Sequence, residues 1–139
     1  MKEEVRLQQD ITNNYVMAEF YICAPKLEFE KINSFLNIAE YKIRSKDSFP
    51  IKEFAKDYWS IDTGYEQSED INIQIKKIYN KIKAKSEEIN KLKNILCSEV
   101  GFVITVKQKE DGILPAIYFE REIIRFAATI GADINLDFC

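Results

Sequence analysis

"FEREIIRFAATIGADINLDF", residues 119–138, holds a helix, its stop signal and a strand in one unbroken run. Ile123, Phe126, Ala127 and Ile130 recur at the spacing of one helical face, which predicts an amphipathic helix over Glu120–Ile130. Gly131 stands where a helix end favours a left-handed residue. Ala132–Phe138 then alternates, with Ile134, Leu136 and Phe138 on one side and Asp133, Asn135 and Asp137 on the other. That is the pattern of a strand with one wet face. A helix laid against one side of a half-wet strand points to an α+β layer pair.

The rest of the chain repeats this logic. In Asn14–Ala24, Val16, Ala18, Phe20, Ile22 and Ala24 share one face and Tyr15, Met17, Glu19, Tyr21 and Cys23 the other; both are largely apolar, as in a strand well inside a sheet, and Pro25 ends it. Glu28–Leu36 reads as a short helix with Ile32, Phe35 and Leu36 inward. A short strand is expected near Tyr41–Arg44, and "YWSIDT", residues 58–63, alternates as another. Between Glu69 and Cys97 the apolar positions Ile71, Ile75, Ile78, Ile82, Ile89, Leu92 and Leu96 keep helical spacing, except that Lys85 occupies a seam position. Two helices broken near Lys83–Ser86 are expected, with Ser86 as N-cap. Packing on the domain's own sheet is favoured over a coiled coil, because the seam is not sustained. Val100–Val106 is a strand, Asp111–Gly112 a tight turn, and Ile113–Phe119, interrupted by Pro115, an edge or irregular strand. The expected order is β-α-(β)-β-α-α-β-β-α-β, with a mixed or mainly antiparallel sheet carrying helices on one face. The chain reads as a single domain over 1–139, with 1–12 a loose lead-in and 13–139 globular.

Bulk composition narrows the function. With 139 residues, 46% of them apolar and only four Gly and three Pro, the chain suits one compact core without long linkers. The start, "MKEEVRLQQD", is charged and lacks the apolar core of an export signal, and no apolar run reaches the length of a membrane span. A soluble, cytoplasmic protein is expected. Histidine is absent, which removes Ser-His-Asp and Cys-His catalysis and histidine metal sites. The three cysteines, Cys23, Cys97 and Cys139, are odd in number and show no CxxC spacing; Cys23 and Cys97, in apolar runs, are expected to be buried thiols. No phosphate-cradling glycine motif occurs, and no cofactor is implied. The net charge of −3 is unevenly spread: Ile71–Leu96 holds seven Lys against two Glu, a net +5, leaving −8 on the remainder.

Three groups of residues are candidates for a site. The first is the row Asp133, Asn135 and Asp137. Alternate strand residues stand about 6.5–7 Å apart, whereas one metal ion needs oxygens about 2.0–2.6 Å away, so the row alone does not converge on an ion. A solvated face is the favoured reading, and an acidic partner-binding face, joined by Glu19 and Asp62, comes second. The second is Trp59, the only tryptophan, suited to an interface anchor but favoured as core. The "DTG" beside it, residues 62–64, invites comparison with aspartic proteases, but that mechanism needs two such aspartates sharing a proton. The third is the lysine-rich helical region, with Lys76, Lys77 and Lys81. Seven Lys diluted by two Glu read as a solvated face rather than a nucleic-acid surface.

Four stretches together resemble a bacterial family, domain of unknown function 4279. They are "YVMAEFYICAPKLEFEKINSFLNI" at 15–38, "YWSIDT" at 58–63, "EVGFVITV" at 99–106 and "FEREIIRFAATIGADINLDF" at 119–138. "IRSKDSFPIKEF", residues 43–54, departs from the "KGD"-like turn of the family, so that loop is expected to differ. The resemblance implies a stand-alone α+β domain with no catalytic residues assigned. It also implies an association with toxins, since small bacterial proteins of this kind are often encoded beside them as immunity proteins. The expectation is therefore a non-enzymatic protein that binds and occludes a cognate toxin, through an acidic surface or the basic helix. The alternative is a small-molecule-binding or carboxylate-based enzymatic domain.

Overall fold

Eleven residues, Asn14–Ala24, in which Tyr15, Val16, Phe20, Tyr21 and Ile22 favour extended backbone, form the strand on which the others assemble. In the computed structural model, which describes residues 14–51, 53, 55–108 and 113–139, this strand (β1) is followed by helix α1 (Phe29–Leu36) and strands β2 (Lys42–Arg44), β3 (Asp57–Asp62) and β4 (Glu66–Gln67). Helices α2 (Ile71–Ile82) and α3 (Ser86–Leu96), strand β5 (Glu99–Gln108), helix α4 (Arg121–Ile130) and strand β6 (Asp133–Phe138) complete the chain. The expected lead-in over 1–12 and the expected turn at Asp111–Gly112 lie outside the described residues.

The sheet runs β2-β3-β1-β5-β6, with β4 pairing β1 beside β3. β1 is antiparallel to β3, β4 and β5; β2 is antiparallel to β3, and β6 runs parallel to β5 after the α4 crossover. The sheet is thus mixed and mostly antiparallel, as the sequence pattern requires. Val16, Ala18, Phe20, Ile22 and Ala24 of β1 are all buried, in one cluster with Ile32 and Leu36 of α1, four isoleucines of α2, Ile89 and Leu92 of α3, and Ile123, Phe126 and Ile130 of α4. All four helices therefore cover the same sheet face. Phe20 and Phe102, register partners on β1 and β5, pack there with ring centroids 5.4 Å apart. None of the helices among the described residues is long and apolar enough to cross a membrane.

Local signals set the helix ends. Asp70 caps α2 by accepting from Asn72 N at 2.9 Å. The break between α2 and α3 falls at 83–85, where the lysine interrupts the seam. Lys85 is the N-cap and Ser86 the first helical residue, one position from the expected cap, because Ile89 N already reaches Lys85 O. Gly131 ends α4 at φ 61, and Lys93 of α3 donates to Ile130 O at 2.7 Å, where the carbonyl end of the helix favours a cation. A β-carbon at Gly131 would also collide with that ammonium group.

Two expectations are corrected. Cys97 is exposed rather than buried, because it takes the left-handed position (φ 50) that terminates α3. Ile113–Phe119 forms no strand among the described residues. It makes a single parallel bridge, Ala116 with Asp70, since Pro115 supplies no donor to a ladder.

Asp57, at the start of β3, is a structural residue the sequence did not reveal. Its carboxylate is 7% exposed and accepts from Leu27 N at 3.0 Å and Lys46 N at 2.8 Å. One side chain thus ties the segment after β1 to the segment after β2. Asp57→Ala leaves both main-chain donors unpaired and is expected to cost about 2–4 kcal/mol in urea unfolding. A loss within the range of ordinary surface substitutions would contradict this role.

Candidate functional site

Strand alternation sends every second side chain to the face that none of the described helices covers. The register then sets out cross-strand rows there. Lys42 of β2, Ser60 of β3, Tyr21 of β1, Gly101 of β5 and Asp133 of β6 form one row. Asp62, Glu19, Val103 and Asn135 form the next, and Met17, Thr105 and Asp137 the third. The acidic residues singled out in the sequence, scattered from 19 to 137, therefore share one face. Asp133, Asn135 and Asp137 are exposed at its margin, as expected of a wet strand face.

The other candidates lie elsewhere. Trp59 is completely buried on the helix-covered side and donates its indole N–H to Asn33 Oδ1 at 2.9 Å. It belongs to the core and presents no surface to a partner. Lys76, Lys77 and Lys81 lie exposed on α2, in the opposite layer. Lys76 pairs with Glu120 at 3.0 Å and Lys77 with Glu66 at 2.6 Å. The acidic and basic surfaces are thus on different sides of the molecule.

Asp62 is engaged by its own neighbourhood. Its side chain is 8% exposed, and it accepts from Lys42 Nζ at 2.8 Å and from Gly64 N at 2.8 Å. Thr63 Oγ1 accepts from Ala18 N and donates to Gly64 O. "DTG" here is a turn locked to β1, with Gly64 at φ 68. Among the described residues, no three His, Cys, Asp or Glu side chains group closely enough to hold a metal ion.

Glu19 differs from the marginal acids. Burial raises its carboxyl pKa, and the neighbouring Asp62 raises it further, against a smaller lowering by Lys42. It lines a cleft of about 310 Å³ with Arg44, Phe49, Tyr58 and Ser60. The cleft exists because the segment after β2 arches over the open face. Arg44 lies 3.8 Å above the Phe49 ring, and Phe49 packs near Tyr58 with centroids 6.0 Å apart. The sequence carried little sign of this, since "IRSKDSFPIKEF" has no clear periodicity. Beside the cleft, Tyr21 lies across Gly101, where a β-carbon would come within 2.5 Å of the phenol oxygen. Burial, with smaller contributions from neighbouring acidic groups, pushes the Tyr21 pKa up to about 12. Cys23 is buried nearby, and burial raises its thiol pKa, which disfavours the thiolate. A second, shallower groove of about 520 Å³ lies between α2 and α4, lined by residues including Tyr79, Arg121, Arg125 and Phe126.

The raised pKa of Glu19 has a definite sign. The folded state holds this proton more tightly than the unfolded chain, so the associated stability is complete below the ordinary value of 4.5 and is lost as pH rises through the raised value. Glu19→Gln is therefore expected to be more stable than the parent at neutral pH and equal to it well below 4.5. A parent that is the more stable at neutral pH would show that Glu19 is held by a favourable charge contact.

No curated protein and no solved structure matches the chain. A family match does span it, from residue 13 to residue 138, to the family described as Domain of unknown function (DUF4279). That span takes in the whole sheet from β1 to β6, all four helices and the open face. The chain therefore belongs to the DUF4279 family.

Proposed function

We propose that this chain is a non-enzymatic interaction protein, an immunity protein that binds a cognate bacterial toxin in the cytoplasm and occludes it. The supporting observation is the sheet face that no described helix covers, with Asp133, Asn135 and Asp137 exposed along its margin. An uncovered face of tyrosines, methionine and valine gives a partner contact area, and although Lys42, Arg44 and Lys107 also stand on it, its β6 margin carries only the acids Asp133 and Asp137 as charged groups. Its sign suits a basic toxin, such as a nuclease, because complementary charge speeds association and selects the partner. The lysine-bearing side of α2 faces away and takes no part in this arrangement.

A second reading has its own observation. The cleft beside Glu19 is of the size that small ligands occupy, and a carboxyl with a raised pKa is the kind of group binding and catalytic sites use. In that reading the chain is a small-molecule-binding or carboxylate-based enzymatic domain. It predicts a thermal shift with a ligand and no protein partner.

The two readings separate in affinity capture of the tagged protein from its native lysate at low and high salt. One stoichiometric partner is expected, retained at high salt. The double variant Asp133→Lys with Asp137→Lys is expected to weaken that complex about tenfold or more, while Lys76→Glu with Lys81→Glu leaves it intact. Absence of a partner at both salts, or loss of the partner only in the α2 variant, would overturn the proposal.

A further inference from the structure

The two edges of the sheet are built differently. β2 closes one edge with three residues, and two of them are Lys42 and Arg44. A short edge strand bearing cations is the usual protection against pairing with another chain. β6 closes the other edge with six regular residues and contains no Pro, Lys or Arg.

Among the described residues, no strand pairs with the outer side of the β6 main chain. Cys139, just past the strand, donates to Val106 O at 3.0 Å and accepts from Gln108 N at 3.4 Å, so both its groups aim at β5. Along a strand these directions alternate. Asp133, Asn135 and Asp137 therefore bond to β5, and the N–H and C=O groups of Ile134, Leu136 and Phe138 point away from the sheet. Ile134 and Leu136 are half-buried against the core on the helix side, and Phe138 is 54% exposed.

We propose that the free edge of β6 accepts an extended basic segment of a partner protein as a further strand of the sheet. This deepens the interaction-protein reading and rests on it for the partner's nature. Main-chain groups of Ile134, Leu136 and Phe138 supply the hydrogen bonds, as in other strand-addition complexes. Alternate Lys or Arg residues of the incoming strand lie beside Asp133, Asn135 and Asp137 on the open face. Its intervening apolar residues extend the row of Ile134, Leu136 and Phe138.

In the register centred on Asn135, charge disfavours a second copy of the chain as the occupant; the register centred on Leu136 sets Asp137 opposite Asn135 and is separated by the oligomeric mass in the test below. Two β6 strands paired about a two-fold axis at Asn135 set Asp133 opposite Asp137 twice, and like charges directly opposite are destabilising. The same aspartates that repel a copy attract a basic strand.

The test titrates the isotope-labelled full chain with a synthetic peptide of about eight residues alternating Lys and Val, long enough to cover β6. Controls are the same peptide N-methylated on the residues facing the edge, and a Glu–Val peptide. The Lys–Val peptide is expected to slow hydrogen exchange at the Ile134, Leu136 and Phe138 amides about tenfold or more, and the two controls to leave it unchanged. Phe138→Pro, which removes one outward donor and no bond to β5, is expected to keep the fold and lose most of the protection. Asp133→Lys with Asp137→Lys is expected to exchange the preference to the Glu–Val peptide. No slowing by the Lys–Val peptide, or equal slowing by the N-methylated one, overturns the proposal. So does protection of these amides in a free protein of dimeric mass, because a second copy then holds the edge. Failure here leaves the interaction-protein reading standing on the open face, whereas an empty lysate capture strikes that reading and not the edge chemistry.

Discussion

Everything in the fold follows from how β1 is buried. Its alternate residues Val16, Ala18, Phe20, Ile22 and Ala24 form an apolar row that a second layer must remove from water. The four helices supply that layer, each with a stripe of isoleucine, leucine or phenylalanine, and all on one side. The cost of this arrangement is the opposite row. Tyr15, Met17, Glu19 and Tyr21 are left half-buried by strand neighbours and by the arch after β2, with none of the described helices above them. The candidate site is therefore a direct consequence of building a core on one face of one central strand.

Much of this was legible in sequence, for reasons that can be named. β1 has the boundaries its alternation implies, because Pro25 stops it and both its faces are largely apolar. The break between α2 and α3 was readable because one lysine sits where the seam needs an apolar residue. The helix–Gly131–strand ending was readable because periodicity changes from helical to alternate at a residue suited to a left-handed turn. The long-range facts were not readable. Register places Glu19 opposite Asp62, and a one-residue slip would have sent one of them to the core. Asp57 looked like an ordinary loop acid because its two partners lie 30 and 11 residues away in sequence. Trp59, by contrast, is read as core from the sequence, and the pairing of β3 puts it there.

The same register gives the charge layout its functional sense. Acidic residues collect on the open face and along β6, whereas Lys76, Lys77 and Lys81 stand on the far layer. Within the acidic set, burial and local bonding assign different tasks. Asp62 holds a turn, Glu19 sits in a cleft where its ionisation is disfavoured, and Asp133 and Asp137 remain exposed. Family membership assigns no activity, so function has to be argued from these surfaces.

The most direct test of that argument is a photo-crosslinking amino acid placed at Asn135, on the margin of the open face, and separately at Lys81, on the outer side of α2, in the native cell. A single protein crosslinked from position 135 and not from 81 is the result the account predicts. Crosslinking from 81 alone would place the partner on the helix layer and contradict it.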